Sequence, residues 1–153
     1  MKIAVAADHG GLSLKPQVID WLRAAGHEVV DLGAHRNDPA DDYPDYARYV
    51  AQAIQHGHAH RGVLLCGSGV GASVAANKHH GVRAAVCHDS YSARQGVEHD
   101  DLNVLCLGAR IIGEELAREL IRAFIGATFT AEERHRRRLQ KVLAIEQSAG
   151  ANP

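Results

Sequence analysis

Short apolar runs alternate with segments of helical periodicity along the whole chain, an arrangement typical of parallel strands joined by crossover helices. Five of the runs have the length and residue content of buried strands. They are Lys2 to Ala7, His27 to Leu32, Gly62 to Cys66, Val82 to Cys87 and Val104 to Leu107. The pattern predicts an α/β protein with a five-stranded parallel sheet.

The segments between these runs place apolar residues three and four positions apart, which predicts helices. Leu14, Val18 and Leu22, for example, share one helical face, and Gly26 provides a stop. The predicted helices are Leu12 to Ala25, Asp45 to Gln55, the segment from the glycine loop to Lys78, Ser90 to Gly96, Gly113 to Ile125 and Ala131 to Glu146. We therefore expect a Rossmann-like, three-layer α/β/α fold with an additional C-terminal helix. Residues 1–146 are expected to form one domain, followed by a disordered tail at 147–153.

A glycine-rich loop follows the third strand, with the sequence Cys66-Gly67-Ser68-Gly69-Val70-Gly71. Such a loop allows backbone N–H groups to converge on an anion. Converging N–H dipoles are also expected to lower the pKa of a thiol at the strand end and to make Cys66 a nucleophile or base. The motif predicts chemistry on a phosphorylated substrate.

Polar residues follow four of the predicted strands at their carboxyl ends. They are Asp8-His9, the Cys66 loop, His88-Asp89 and Gly108-Ala109-Arg110. In open parallel sheets this edge carries the ligand crevice, so we expect one pocket to collect these groups. By contrast, His99-Asp100-Asp101 precedes the fifth strand and falls at the opposite edge. A functional His99 would then come from a neighbouring subunit, which predicts a site shared across a two-fold dimer.

Composition narrows the function classes. The 153 residues include 17 basic and 18 acidic side chains, so bulk charge offers no attraction to nucleic acid or to a membrane surface. No run approaches the length of a membrane span or of a signal-peptide core. Three cysteines without paired spacing fit a reduced, cytoplasmic protein, with Cys87 and Cys106 expected in the core.

Three alternative interpretations compete with this picture. Gly67, Gly69 and Ala72, with Asp89 further along, satisfy the dinucleotide-binding fingerprint, although no second domain is present to carry a hydride acceptor. The histidine run His56, His58, His60 suggests a metal site, although no carboxylate lies nearby in the sequence to complete it. The four arginines between Arg134 and Arg138 form either a solvated helix face or an anion site, because Arg134 and Arg138 are one helical turn apart and can clasp one phosphate.

Together these motifs resemble the ribose-5-phosphate isomerase B group of sugar-phosphate isomerases, the RpiB/LacAB family. The likeness runs from Met1 to Glu146. Its marks are Ala7-Asp8-His9-Gly10-Gly11, Asp42-Tyr43-Pro44, the Cys66 loop, Ala75-Ala76-Asn77-Lys78, His99, Asn103-Val104, Gly108-Ala109-Arg110 and Arg134-His135.

The resemblance implies a cofactor-independent aldose-ketose isomerase that needs no metal and works as a homodimer or homotetramer. Cys66 matches the base that moves a proton between C1 and C2, and His99 matches the histidine that opens the sugar ring. The loop from Gly67 to Gly71 matches the segment that stabilises the enediolate, with Ser68 as a further catalytic candidate. The substrate-binding matches are Asp8, His9, Gly67, Ser68, Gly69, Val70, Gly71, Asp100, Arg110, Arg134 and Arg138.

One position departs from the family pattern, since Asp100 stands where an asparagine is usual. An ionised carboxylate accepts hydrogen bonds but cannot donate them, and it repels phosphate. Ribose 5-phosphate is the first expectation for the substrate, with allose 6-phosphate and erythrulose 4-phosphate as alternatives. The competing function class is a non-catalytic nucleotide- or phosphate-binding module on the same fold.

Overall fold

Five strands form one sheet in the computed structural model, which describes residues 1–149 of the chain. They are β1 (Lys2–Ala7), β2 (Glu28–Asp31), β3 (Arg61–Cys66), β4 (Ala84–Val86) and β5 (Val104–Gly108). Their order across the sheet is β2-β1-β3-β5-β4, and every neighbouring pair is parallel. The predicted α/β class and five-stranded parallel sheet are confirmed.

Helices connect the strands and cover both faces of the sheet. They are α1 (Lys15–Ala24), α2 (Tyr43–Gln55), α3 (Val70–Ala76), α4 (Ser90–Asp100), α5 (Glu114–Gly126) and α6 (Glu133–Ala149). None of the helices within residues 1–149 is both long and apolar enough to cross a membrane. The additional C-terminal helix expected from the sequence is present as α6.

Strand alternation divides the core into two halves. Val63 and Leu65 of β3 pack in the half that contains buried residues of α1, α4 and α5. Leu64 and Cys66 belong to the other half, with buried residues of α2 and α3. The three-layer arrangement is thereby confirmed, and it places the Cys66 side chain on the α2 and α3 side at the carboxyl end of β3.

Several boundaries differ from the predicted ones. Helix α4 was expected to stop at Gly96 but continues to Asp100, because Gly96 is used for close packing: a Cβ there would lie 3.2 Å from Leu102 Cδ2. The helix ends instead at Asp101, which takes a left-handed conformation with φ of 52°. Helix α6 continues to Ala149, beyond its predicted end, and residues 150–153 of the predicted tail lie outside the described residues.

The turn after β1 passes against the end of β3 at Gly11. A Cβ on Gly11 would lie 2.6 Å from the Cys66 backbone nitrogen and still closer to the Leu65 carbonyl group. Backbone atoms cannot yield as a flexible side chain can. We therefore expect Gly11→Ala to lower the free energy of unfolding by about 3 kcal/mol, at the upper end for an overpacked site. Urea unfolding followed by circular dichroism measures this change.

Gly126→Ala is the matched control for this substitution. No atom lies within 4 Å of the added Cβ at Gly126, which is the last residue of α5. Alanine is the better helix former, so this variant is expected to gain about 0.5–1 kcal/mol of stability. Equal stabilities for Gly11→Ala and Gly126→Ala would contradict the close approach at Gly11.

Candidate active site

A cleft of about 300 Å³ opens at the carboxyl ends of β1 and β3. The chain leaves β1 toward β2 on one side and returns to β3 on the other, so the cleft lies at the point where strand order reverses. The cleft is lined by Asp8, His9, Gly10, Cys66, Gly67, Ser68, Arg110 and Ile111. Six of the site residues predicted from the sequence are therefore brought together here.

Cys66 and Asp8 form a hydrogen-bonded pair inside the cleft. The Cys66 thiol donates to Asp8 Oδ2 at 2.9 Å, and the Gly11 N–H donates to Asp8 Oδ1 at 3.0 Å. Both residues are buried, with exposed fractions of 8% and 6%. The pairing of β1 with β3 brings the two strand ends together and thus places the carboxylate beside the sulfur.

This pair corrects the expectation of a lowered thiol pKa. Burial raises the pKa of Cys66, and the hydrogen bond to Asp8 and the negative charge of Asp8 raise it further. Hydrogen bonds from the backbone N–H groups of Gly69 and Gly67 act in the opposite direction but do not outweigh these effects. The N–H groups of the glycine loop therefore lower the pKa of Cys66, but burial and Asp8 outweigh them, and the prediction of a lowered thiol pKa is wrong.

The glycine loop owes its shape to Gly69, whose φ of 82° lies in the left-handed region. Gly69 is the N-cap residue of α3, and Val70 and Gly71, expected in the loop, are the first residues of that helix. The Ser68 hydroxyl accepts a hydrogen bond from the Val70 N–H at 3.3 Å. The conformation turns the loop N–H groups of Gly67 and Gly69 toward the sulfur.

The connection after β5 forms another wall of the cleft. The Ala109 N–H donates to the Cys66 carbonyl at 2.9 Å, and the Arg110 N–H donates to the Gly67 carbonyl at 3.0 Å. The exposed Arg110 side chain lies across Gly67, where an added Cβ would lie 3.5 Å from its guanidinium carbon. These contacts place one cationic group in the same cleft as the thiol, as expected for a phosphorylated substrate.

Two residues near the cleft have no role in the sequence analysis, although Tyr43 belongs to one of the family marks. The Tyr43 ring packs on Gly71, where an added Cβ would lie 2.6 Å from Tyr43 Cζ, so the absence of a side chain at Gly71 makes room for the ring. Asp41 lies in the connection between β2 and α2 and accepts a hydrogen bond from the His9 ring at 2.6 Å. The sequence analysis assigns no role to Asp41, and only its position after a strand could have suggested one.

The remaining predicted residues lie elsewhere on the same chain. His99 is in the last turn of α4 and stacks on His135 of α6, with ring centroids 4.1 Å apart. Asp100 is exposed at the end of α4, and exposed Arg134 and Arg138 lie one turn apart on α6. None of these four residues lines the cleft around Cys66.

His88-Asp89 is not part of the cleft, contrary to the sequence analysis. β4 is the outermost strand, and β5 lies between it and β3. Asp89 caps α4 by accepting a hydrogen bond from the Ser92 N–H at 2.7 Å. A dinucleotide fingerprint needs the acidic residue beside the glycine loop, so the interpretation of Asp89 as a ribose ligand is disfavoured.

The histidine run does not converge on one point. His60 Nδ1 accepts a hydrogen bond from the Lys2 N–H at 3.1 Å, while the His56 and His58 rings lie 5.8 Å apart. Within residues 1–149, no group of three or more His, Cys, Asp or Glu side chains is arranged to hold a metal ion. Cys87 and Cys106 are buried in the core, as predicted.

The model of the family described as Ribose/Galactose Isomerase matches residues 3–142. The chain belongs to the Ribose/Galactose Isomerase family. Within this family it is 44% identical to ribose-5-phosphate isomerase B of Escherichia coli over 146 residues, covering 95% of this chain and 97% of that protein. The resemblance inferred from the motifs is confirmed.

Two further relatives of this isomerase-family chain bear on its chemistry. The D-erythrulose-4-phosphate isomerase of Pectobacterium atrosepticum is 43% identical over 129 residues, covering 84% of this chain and 85% of that protein. The structure of ribose-5-phosphate isomerase B from Mycoplasma genitalium with bound ribulose-5-phosphate has a TM-score of 0.90 and 38% identity, covering 95% of this chain and 96% of that one.

Proposed function

We propose that this protein interconverts ribose 5-phosphate and ribulose 5-phosphate as an aldose-ketose isomerase. The observation that carries the proposal is the buried Cys66–Asp8 pair at the mouth of a glycine loop, in a cleft that also contains Arg110. Family membership and 44% identity to the Escherichia coli ribose-5-phosphate isomerase B support the same reaction and a sugar phosphate as substrate.

Cys66 is the base in this proposal, and Asp8 holds the proton that the thiol must first lose. The pair carries one proton and one negative charge in either arrangement. Transfer of the thiol proton to Asp8 Oδ2 leaves a thiolate facing two backbone N–H groups. The thiolate removes the proton from C2 of the open-chain aldose, and the resulting thiol delivers it to C1 of the enediolate. The hydroxyl proton on O2 passes to O1 in the same reaction, so atoms and charge balance without any cofactor.

The glycine loop stabilises the enediolate in this reaction. Proton removal beside a carbonyl places negative charge on oxygen, and preorganised N–H donors directed at that oxygen contribute about 3 kcal/mol. The donors in this proposal come from the loop between Gly67 and Gly71, with the Ser68 hydroxyl and the Val70 N–H at its edge. Asp8 and His9 contact the sugar from the β1 side of the cleft.

We also infer that the active site is completed by a second copy of the chain, in a homodimer or a homotetramer. His99, Asp100, Arg134 and Arg138 then come from the partner, where the two arginines bind the phosphate and His99 opens the sugar ring. Val70 and Val74 support this inference, because they expose 57% and 56% of their surface one helical turn apart beside the glycine loop. Such an apolar patch is typical of a surface covered by another protein.

Subunit mixing tests the shared site directly. Cys66→Ala and His99→Ala homodimers are each expected to be nearly inactive. If subunits exchange at random, half of the dimers in the mixture are heterodimers. Each heterodimer contains one site in which Cys66 and His99 are both intact. The mixture should therefore recover about a quarter of wild-type activity. Mixing Cys66→Ala with Asp8→Ala gives no intact site and is the control; recovery of activity there, or none in the first mixture, would contradict the shared site.

A panel of sugar phosphates tests the substrate. We expect kcat/KM to be highest for ribose 5-phosphate. Erythrulose 4-phosphate should be a poorer substrate, because it forms no ring for His99 to open, and allose 6-phosphate is the six-carbon comparison that does cyclise. Asp100→Asn is expected to raise kcat/KM for ribose 5-phosphate, since an amide donates a hydrogen bond and does not repel phosphate. A higher kcat/KM for erythrulose 4-phosphate would show that the four-carbon sugar phosphate, and not ribose 5-phosphate, is the substrate. Binding of sugar phosphates without turnover would favour the non-catalytic phosphate-binding module.

We infer a cytoplasmic location as well. The three cysteines are free thiols in the structure. A catalytic thiol needs to remain reduced, and the cytosol maintains thiols in that state.

A further inference from the structure

Helix α6 buries one polar side chain between exposed arginines. His135 is fully buried, whereas Arg134 and Arg136 on either side of it are exposed. The His135 ring stacks on the ring of His99 in α4, with centroids 4.1 Å apart and ring planes 27° from parallel. The stack therefore joins the helix that carries Arg134 to the helical turn that carries His99.

Thr130, in the connection between α5 and α6, anchors both sides of this stack. Its backbone N–H and its hydroxyl each lie 3.0 Å from the carbonyl oxygen of Glu98, the residue before His99, and the hydroxyl also lies 2.6 Å from His135 Nδ1. The next residue, Ala131, has a φ of 53°, a left-handed conformation that costs free energy for a residue with a Cβ. Such strain persists where surrounding contacts fix the backbone, and the bonds of Thr130 are contacts of this kind.

Packing alone does not explain an imidazole at position 135. Within residues 1–149, His135 Nε2 has no hydrogen-bond partner although it is buried, and a buried polar atom without a partner costs free energy. An apolar side chain would fill the space without that cost. A side chain that bonds to Thr130 and also stacks face to face on His99 needs a planar ring with a polar atom, which histidine supplies.

The surroundings of His135 keep its ring neutral. Burial lowers the pKa of His135, and positive charges around the ring lower it further. Those charges belong to His99, Arg134 and Arg138, while the carboxylate of Glu132 acts in the opposite direction without outweighing them. Two charged rings in a stack would repel each other. A neutral His135 ring can therefore stay stacked on His99 whether or not His99 carries a proton.

His99 is also held by Gln95, whose side-chain amide nitrogen lies 2.8 Å from His99 Nδ1. The amide fixes one ring nitrogen and the stack fixes the ring plane, so within residues 1–149 His99 Nε2 is left for a ligand. We propose that His135 is a positioning residue that holds the His99 ring by stacking, so that His99 can open a cyclic sugar phosphate. The role of His99 rests on the proposed function, whereas the stack and its anchor at Thr130 stand without it.

Substrates that do and do not cyclise test the role of His135. His135→Asn keeps a polar group that can reach Thr130 but removes the stacked ring. It is expected to lower kcat/KM for ribose 5-phosphate about tenfold, within the range for residues in contact, and to leave kcat/KM for erythrulose 4-phosphate, which forms no ring, within about twofold. In the His99→Ala background it should not lower the residual activity further. An equal loss for both substrates, as expected of a structural role alone, or a further loss in the His99→Ala background would overturn the proposal.

Thr130→Val keeps both rings and removes their anchor, so it tests the proposal even if His135→Asn does not fold. The ratio of kcat/KM for ribose 5-phosphate to that for erythrulose 4-phosphate should fall in this variant, by a smaller factor than in His135→Asn. Thr128→Val is the matched control, because Thr128 is an exposed threonine in the same connection, and the ratio should stay at its wild-type value. A ratio that falls equally in both threonine variants would contradict the anchor.

Carbon-13 relaxation of the His99 ring tests the stack without any substrate. The ring should be rigid in the wild type and in Thr128→Val and should gain motion in His135→Asn and Thr130→Val; a ring already mobile in the wild type would overturn the proposal. If the wild type isomerises no sugar phosphate, the proposed function fails, and the relaxation result still decides whether His135 holds His99. If only ribose 5-phosphate is turned over, the His99→Ala background supplies the kinetic test. If the wild type is active and His135→Asn changes neither kcat/KM nor ring motion, the proposed function stands and the role of His135 is wrong.

Discussion

Cys66→Ser is expected to lower kcat for ribose 5-phosphate by roughly 10²–10⁴-fold, the contribution typical of a positioned general base. A serine hydroxyl is smaller than the thiol but occupies the same position and can still donate to Asp8, and it does not ionise near neutral pH. The N–H donors of the glycine loop remain in place. The loss should therefore appear in kcat, measured from the rate of ribulose 5-phosphate formation, with little change in KM.

Cys87→Ala is the control for this substitution. Cys87 is buried in the half of the core on the other side of the sheet, so its loss is expected to cost about 1 kcal/mol of stability and to leave kcat within about twofold. Titration of Cys66→Ala with ribulose 5-phosphate then separates catalysis from binding. Retained turnover in either Cys66 variant would exclude this thiol as the base, and the role would pass to another group in the cleft.

The sheet could be predicted from the sequence because each strand is a buried apolar run. Val63, Leu64 and Leu65 show why: both faces of a central parallel strand are covered, so the run needs no alternation. The strand order could not be predicted, since nothing in the sequence places β5 between β3 and β4. The end of α4 was missed for a local reason. Glycine commonly terminates helices, so Gly96 was predicted as the end of α4. The residue that terminates α4 is Asp101, a non-glycine residue with positive φ.

The site was predictable as far as strand ends determine it. Cys66 ends a strand, Asp8 and Arg110 each follow one, and parallel strands bring their carboxyl ends to one edge. The direction of the Cys66 pKa shift was predicted wrongly. The glycines that lower the pKa are adjacent to Cys66 in the sequence, whereas Asp8, which raises it, lies 58 positions away and meets Cys66 only in the folded chain. Asp41 was missed for the same reason, since only the folded loop brings it to His9.

Asp8→Asn is expected to make Cys66 more reactive and the enzyme slower. Asparagine can keep the bond from the Gly11 N–H through its oxygen and replaces the other carboxylate oxygen with an amide donor. Burial, the largest cause of the raised thiol pKa, is unchanged, but the acceptor and the negative charge that raise it further are gone. The pKa of Cys66 must therefore fall, and the thiolate fraction at a given pH must rise.

Alkylation by iodoacetamide measures this shift. The rate constant follows the thiolate fraction, so its dependence on pH should move to lower pH in Asp8→Asn, and alkylation at pH 7 should be faster than in the wild type. Cys87 is an internal control, since burial and then the charge of Asp89 raise its pKa to about 11, and its labelling should stay slow. An unchanged profile, or one moved to higher pH, would contradict the pairing of Asp8 with the thiol.

The same variant should lose isomerase activity by about 10²-fold in kcat. A thiolate with a lower pKa is a weaker base toward a carbon-bound proton, and asparagine cannot take the thiol proton inside the cleft. Faster alkylation together with slower isomerisation would separate the two functions of one sulfur, because a nucleophile needs only to be ionised, whereas this base also needs the proton-accepting carboxylate beside it. If the alkylation rate and the isomerisation rate both rose, ionisation of Cys66 alone would limit turnover. Asp8 would then inhibit the reaction by raising the pKa of Cys66, and it would not be the proton acceptor.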